Sequence, residues 1–173
     1  MMVRPIHKLA AAGLLATATA LGSAATPAAA ADPPAITGKG KFTFQEPGLE
    51  GHQITFGAQA GATAVDGSFG DFSFKHVLPS GEVVGEGVAD ITCAQVSNGV
   101  ALLTAVVPEG QTPVRNHAFY VKIIDGQPDQ VASVQAQGGD EPPPRDCMDF
   151  EVLMPGAAQR YPLDAGNFVL NNT

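Results

Sequence analysis

The sequence predicts an all-β protein, a small antiparallel β-barrel of the up-and-down or lipocalin-like kind, with a two-sheet β-sandwich as the alternative. Two observations carry that expectation. Short runs of strict apolar–polar alternation recur along the chain, whereas helical periodicity is nearly absent. The runs are separated by Gly, Pro, Asn and Asp, the residues that punctuate strands with turns. Alternation alone does not distinguish a barrel from a sandwich.

The N-terminus reads as a secretory signal. Arg4 and Lys8 form a basic start, residues 9–22 are uncharged, and the small residues Ala28, Ala29, Ala30 and Ala31 suit a signal peptidase. The apolar run is too short to span a bilayer. The expected cut after Ala30 or Ala31 makes residues 1–31 a signal peptide and residues 32–173 a single secreted, extracellular domain. Cleavage removes two of the 9 basic residues and none of the 17 acidic ones, leaving a net charge of −10. Nucleic acid and anionic membrane surfaces are therefore not expected partners. No second run approaches spanning length, so no transmembrane segment is expected in the mature chain.

Within the domain, alternation places strands over residues 40–45, 52–60, 70–77, 82–96, 100–107, 117–125, 131–137, 150–154 and 167–171. The first and third share one pattern, Gly, charge, Phe, hydroxyl, Phe, polar, which sends paired Phe rings to one face and hydroxyls to the other. Ser97-Asn98-Gly99 is the clearest hairpin, because Asn-Gly takes the positive φ angles of a type I′ turn. Gly85-Glu86-Gly87 inside the longest run marks a bulge or a bend of the sheet. Residues 138–146, with three consecutive prolines, read as an extended surface loop. An even cysteine count in an exported chain predicts a disulfide, Cys93 to Cys147, tying the C-terminal segment to the sheet.

Taken together, Val84 to Cys93, the Asn-Gly hairpin, Phe119 to Asp125 with Gly126 and Asp129, the late Cys147 and the closing Gly166-Asn167-Phe168-Val169-Leu170 resemble a family of small secreted β proteins of high-GC Gram-positive bacteria, sometimes labelled repetin-like. The resemblance implies export, β architecture and the disulfide. It brings no catalytic residue with it.

Common extracellular chemistries leave motifs that this chain lacks: there is no Gly-x-Ser-x-Gly, no His-Glu-x-x-His and no phosphate-binding loop. The candidate metal ligands are His52, His76 and His117, each sharing a strand face with bulky apolar residues. In an up-and-down meander all three fall toward the same end, where they could hold zinc or copper or simply cap an apolar interior. Asp125 and Asp129, and the acids Asp140, Glu141, Asp146 and Asp149 around the proline loop, lack the spacing of a calcium site. No cofactor is expected beyond such a metal. The function expected first is non-catalytic binding of a small apolar molecule inside a barrel lined by some of the 9 Phe. Contact with an envelope or matrix component through the outer surface is the alternative, and metal-dependent activity at the histidine rim stands third.

Overall fold

A computed structural model describes residues 35–111 and 115–172. The expected signal peptide lies outside the described residues. The strands are β1 (Ile36–Thr43), β2 (Gln53–Val65), β3 (Ser68–Val77), β4 (Val83–Ser97), β5 (Val100–Val106), β6 (Ala118–Ile124), β7 (Gln130–Ala136), β8 (Tyr161–Pro162) and β9 (Ala165–Leu170), with one helical turn, α1 (Phe150–Leu153), before β8.

All nine strands belong to one antiparallel sheet in the order β8-β7-β6-β5-β4-β3-β2-β1-β9. A single sheet excludes the sandwich. From β1 to β7 each strand pairs with its sequence neighbour, as an up-and-down meander requires. The sheet curls into a half-barrel whose two edges are bridged by the C-terminal segment. Tyr161 and Pro162 pair with the start of β7, the Leu163 N–H donates to the Asp129 carbonyl, the Asp164 N–H donates to the Lys41 carbonyl, and β9 then runs along β1. Asp129, 2% exposed, secures this seam: Oδ2 accepts the Phe168 N–H at 2.7 Å and Oδ1 accepts the Gly126 N–H at 3.0 Å. Both of its oxygens are therefore engaged by backbone donors, which explains its position without a cation.

The hairpins follow local chemistry. Asn98 and Gly99 adopt φ of 52° and 72°, and Asp66 and Gly67 adopt 52° and 82°, giving two tight turns with positive φ at both central residues. The second extends β2 and β3 beyond their expected limits, through a register irregularity between Ala60 and Val65.

Residues 150–154 are corrected from strand to the turn α1. The Val152 and Leu153 N–H groups donate to the Asp149 carbonyl, Phe150 is fully buried, and Val152, Leu153 and Met154 face solvent. The segment is mostly apolar but has only one side chain for the interior, so one turn that inserts Phe150 suffices. β8 was not expected, because two paired residues leave no periodicity to read.

Inside the half-barrel, Ile36, Ala58, Ala89, Ile91, Leu103 and Ile123 form a packed core with Phe168. A second, smaller cluster lies on the outer face of β6 and β7, where Ala118, Tyr120 and Ala132 are covered by Phe150. The proline loop makes that cover a strap. Tyr120 Oη donates to the Pro144 carbonyl at 3.1 Å, Thr92 Oγ1 to that of Arg145 at 2.9 Å, and Thr104 Oγ1 to that of Asp146 at 2.7 Å. Both faces of β6 are thus buried, and six of its seven residues are inaccessible.

The disulfide Cys93–Cys147 is formed, with Cα atoms 5.3 Å apart. Its placement depends on an irregularity in β4. Ile91 pairs with Ala105 but Cys93 pairs with Thr104, so the register slips by one residue at Thr92. Such a bulge reverses the faces that follow it. Ala94 and Val96 enter the core, and Cys93 turns outward to the strap.

Candidate functional site

The half-barrel is packed at one end and hollow at the other. The cause is a taper along the inner face of β4, where the inward positions run Ile91, Ala89, Gly87, Gly85 toward the open end. Their partners on β3 are Gly70, Phe72, Phe74 and His76, so large faces small across each pair. The Phe74 ring lies over Gly87, where an added Cβ would sit 3.0 Å from Cζ. At Gly85 an added Cβ would meet nothing within 4 Å. Gly85, Glu86 and Gly87 pair in regular register with His76, Lys75 and Phe74, and the irregularity expected at them falls instead on Val84, where the register shifts between His76 and Val77; the missing side chains leave space.

The space is a cavity of about 720 Å³, within the range of small-molecule sites. Its aromatic wall comes from alternate residues of neighbouring strands: Phe42 of β1, Phe56 of β2, Phe72 and Phe74 of β3, and Phe119 of β6. Their rings pack on one another, with centroids 4.6 Å apart for Phe74 and Phe119 and 5.3 Å for Phe72 and Phe119. Phe42 stacks on Tyr161 at 4.7 Å, which joins the wall to the seam. On the β7 side, Val131 is followed by Ser133 and Gln135, so polarity rises toward the mouth. Lys75 and Glu86 border the cavity from positions between the inward residues; their side chains face outward, about half-exposed or more, and pair with each other at 3.0 Å.

The three predicted histidines all belong to this end. His52 Nδ1 and His76 Nε2 lie 2.9 Å apart, a hydrogen bond that needs one ring to donate and the other to accept. Burial, and then the neighbouring His52, push the His76 imidazole below its ordinary pKa. His117 stands apart from the pair, with its ring centroid 4.7 Å from Phe119 and 6.0 Å from Phe74. Burial lowers its pKa too, opposed in part by the Gln135 side chain. Among the described residues, neither of its ring nitrogens makes a hydrogen bond of ordinary geometry, although the Gln135 side chain lies close enough to favour its protonated form. Among the described residues, no three His, Cys, Asp or Glu side chains come together as a metal cage would require. The histidines thus share an end and a face, as expected, but group as a pair and a single ring.

Away from the cavity, Lys122 on the outer face of β6 meets Asp149 and Glu151, both at 2.8 Å. Burial opposes its charge, but hydrogen bonds to Asp149 and Glu151 hold its ammonium above the usual lysine range. The Glu151 carboxyl is drawn down to about 2 by its hydrogen bond with Arg160, against burial, with help from Lys122. This network fastens α1 to the sheet. Sequence reasoning missed it because Lys122 alternates with Val121 and Ile123 like any solvated strand residue.

No helix among the described residues is long and apolar enough to cross a membrane. Comparison with known protein families, curated proteins and solved structures gives no match. Fold and site together define a curled antiparallel half-barrel with an aromatic cavity open at one end.

Proposed function

We propose that this is an exported, non-catalytic binding protein that takes a small apolar molecule into the open end of the half-barrel. The observation that carries the reading is the cavity itself: about 720 Å³, walled by Phe side chains, in a fold whose other half is fully packed. Emptying half of a core forfeits dispersion and burial energy that larger side chains at Gly85 and Gly87 would recover. A ligand supplies the missing contacts. Work outside the cytoplasm is supported by the Cys93–Cys147 disulfide, which persists in oxidising compartments.

The test is titration of the purified protein with N-phenyl-1-naphthylamine, an uncharged dye that brightens in apolar surroundings. Saturable enhancement at one dye per chain, abolished by filling the cavity at Gly85, is the expected outcome. Enhancement that never saturates, or that is indifferent to the filled cavity, would sink the reading. The alternative, contact with an envelope component, has its own support in the exposed Val152, Leu153 and Met154 of α1 and its C-cap. It predicts retention on cell-wall fractions that is lost when Val152 and Leu153 are changed to Ser.

A further inference from the structure

The polar groups of the cavity wall are not equivalent. Lys75 and Glu86 face outward and pair with each other, and His76 is bonded to His52. His117 is only 8% exposed, and among the described residues neither of its buried ring nitrogens has a hydrogen-bond partner of ordinary geometry, the Gln135 side chain being close enough only to act on it weakly. Leaving such a group unpaired is unfavourable, and Phe74 and Phe119 pack against the ring. Gln135, opposite Phe119 on β7, is the neighbouring amide. Nδ1 and Nε2 point away from each other, so one amide can serve only one of them; neither nitrogen touches water, and since the residue lines the cavity, a ligand that shifts the covering rings can reach the other. Burial keeps the imidazole neutral at pH 7, so one nitrogen carries a proton and the other a lone pair.

We propose that His117, with Gln135 beside it, is the polar anchor of this cavity, and that the ligand is an uncharged, mostly aromatic molecule bearing a hydroxyl or carbonyl group. The inference rests on the binding reading above and specifies its chemistry. Phe rings suit a flat apolar body, and a neutral imidazole suits a hydroxyl or a carbonyl oxygen. A carboxylate or an ammonium would find no inward-facing charged side chain among the described lining residues to pair with, and burying its charge there would be costly.

The experiment compares two competitors that differ by one hydroxyl, 2-naphthol and naphthalene, for displacement of N-phenyl-1-naphthylamine from the wild type and from His117→Phe, which keeps an aromatic ring in place. The affinity of 2-naphthol relative to naphthalene should fall about tenfold in the variant, the effect of one lost hydrogen bond in a dry site. An unchanged ratio would overturn the anchor while leaving the cavity as a binding site. If neither compound displaces the dye from the wild type, the cavity reading fails and the anchor with it.

A second measurement needs no variant. In wild-type protein with ¹⁵N-labelled histidine, 2-naphthol should move the His117 ring nitrogen resonances and naphthalene should leave them nearly in place. Equal movement with both compounds, or none with either at saturation, would also overturn the anchor.

Discussion

Gly85→Leu is the substitution that most sharply separates function from stability here. Gly85 has no positive φ, and a Cβ added to it would meet no atom within 4 Å, so the backbone accepts a side chain there without strain. The isobutyl group would project into the mouth of the cavity. Replacing a strand glycine should return about 0.5–1 kcal/mol of chain entropy, and partial burial of the new carbons against the wall adds a similar amount at ~0.8 kcal/mol per methylene. A net gain of about 1–2 kcal/mol raises the melting temperature by roughly 3–6 °C for a domain of this size. Binding should move the other way. A ligand denied ~100 Å² of apolar wall loses ~2.5 kcal/mol, which weakens it by well over tenfold. The assay is paired: thermal unfolding by circular dichroism, and dye titration on the same sample. A folded, stabilised Gly85→Leu that binds the dye as tightly as wild type would refute the reasoning. The neighbouring Gly87→Leu provides the contrast, since a Cβ there presses on Phe74 at 3.0 Å and should destabilise as well as block.

Other outcomes follow from the same structure. Replacing both Cys93 and Cys147 by Ala opens a crosslink between residues 54 apart and should cost about 4 kcal/mol on chain-entropy grounds. Dye affinity of the still-folded fraction should be unchanged, because the bridge lies on the outer face. Asp129→Ala removes two hydrogen bonds from the seam and should cost about 2–4 kcal/mol, with hydrogen exchange accelerating at Phe168 before it does in β4 and β5. Glu151, ionised well below its unfolded pKa, contributes stability that is complete above about pH 4.5 and declines as pH falls toward about 2. With half-exposed Arg160 screened by solvent, that contribution is about 1–2 kcal/mol. In Glu151→Gln the acid-unfolding midpoint should shift less steeply over that window. His76 and His117 add a loss that begins higher, as pH falls through the ordinary histidine range near 6.5, since both are harder to protonate folded than unfolded.

Much of the architecture was legible because alternation reports which face is buried. His52 with Ile54, His76 with Phe74 and His117 with Phe119 share the faces that the period of two assigns, and the Asn98-Gly99 turn is where its φ preference places it. What the pattern could not carry was anything set by a single irregular residue. The slip at Thr92 turns Cys93 away from the face that Ile91 occupies, and nothing in the local sequence announces it. Residues 150–154 are apolar enough to read as a strand but bury only Phe150, so a helical turn serves. Asp129 reads as a loop acid, and only the return of β9 reveals its backbone donors. The cavity was the least visible feature, since it arises from Gly85 and Gly87 facing inward in regular register, where glycines in a strand read as a bend and not as the volume they leave.

The central question is where a small aromatic molecule sits. Intermolecular nuclear Overhauser effects from bound N-phenyl-1-naphthylamine test it most directly. They should connect the dye to ring protons of Phe74 and Phe119 at the open end. Contacts to Val152, Leu153 and Met154 on the outer surface, with none to the Phe rings, would contradict it.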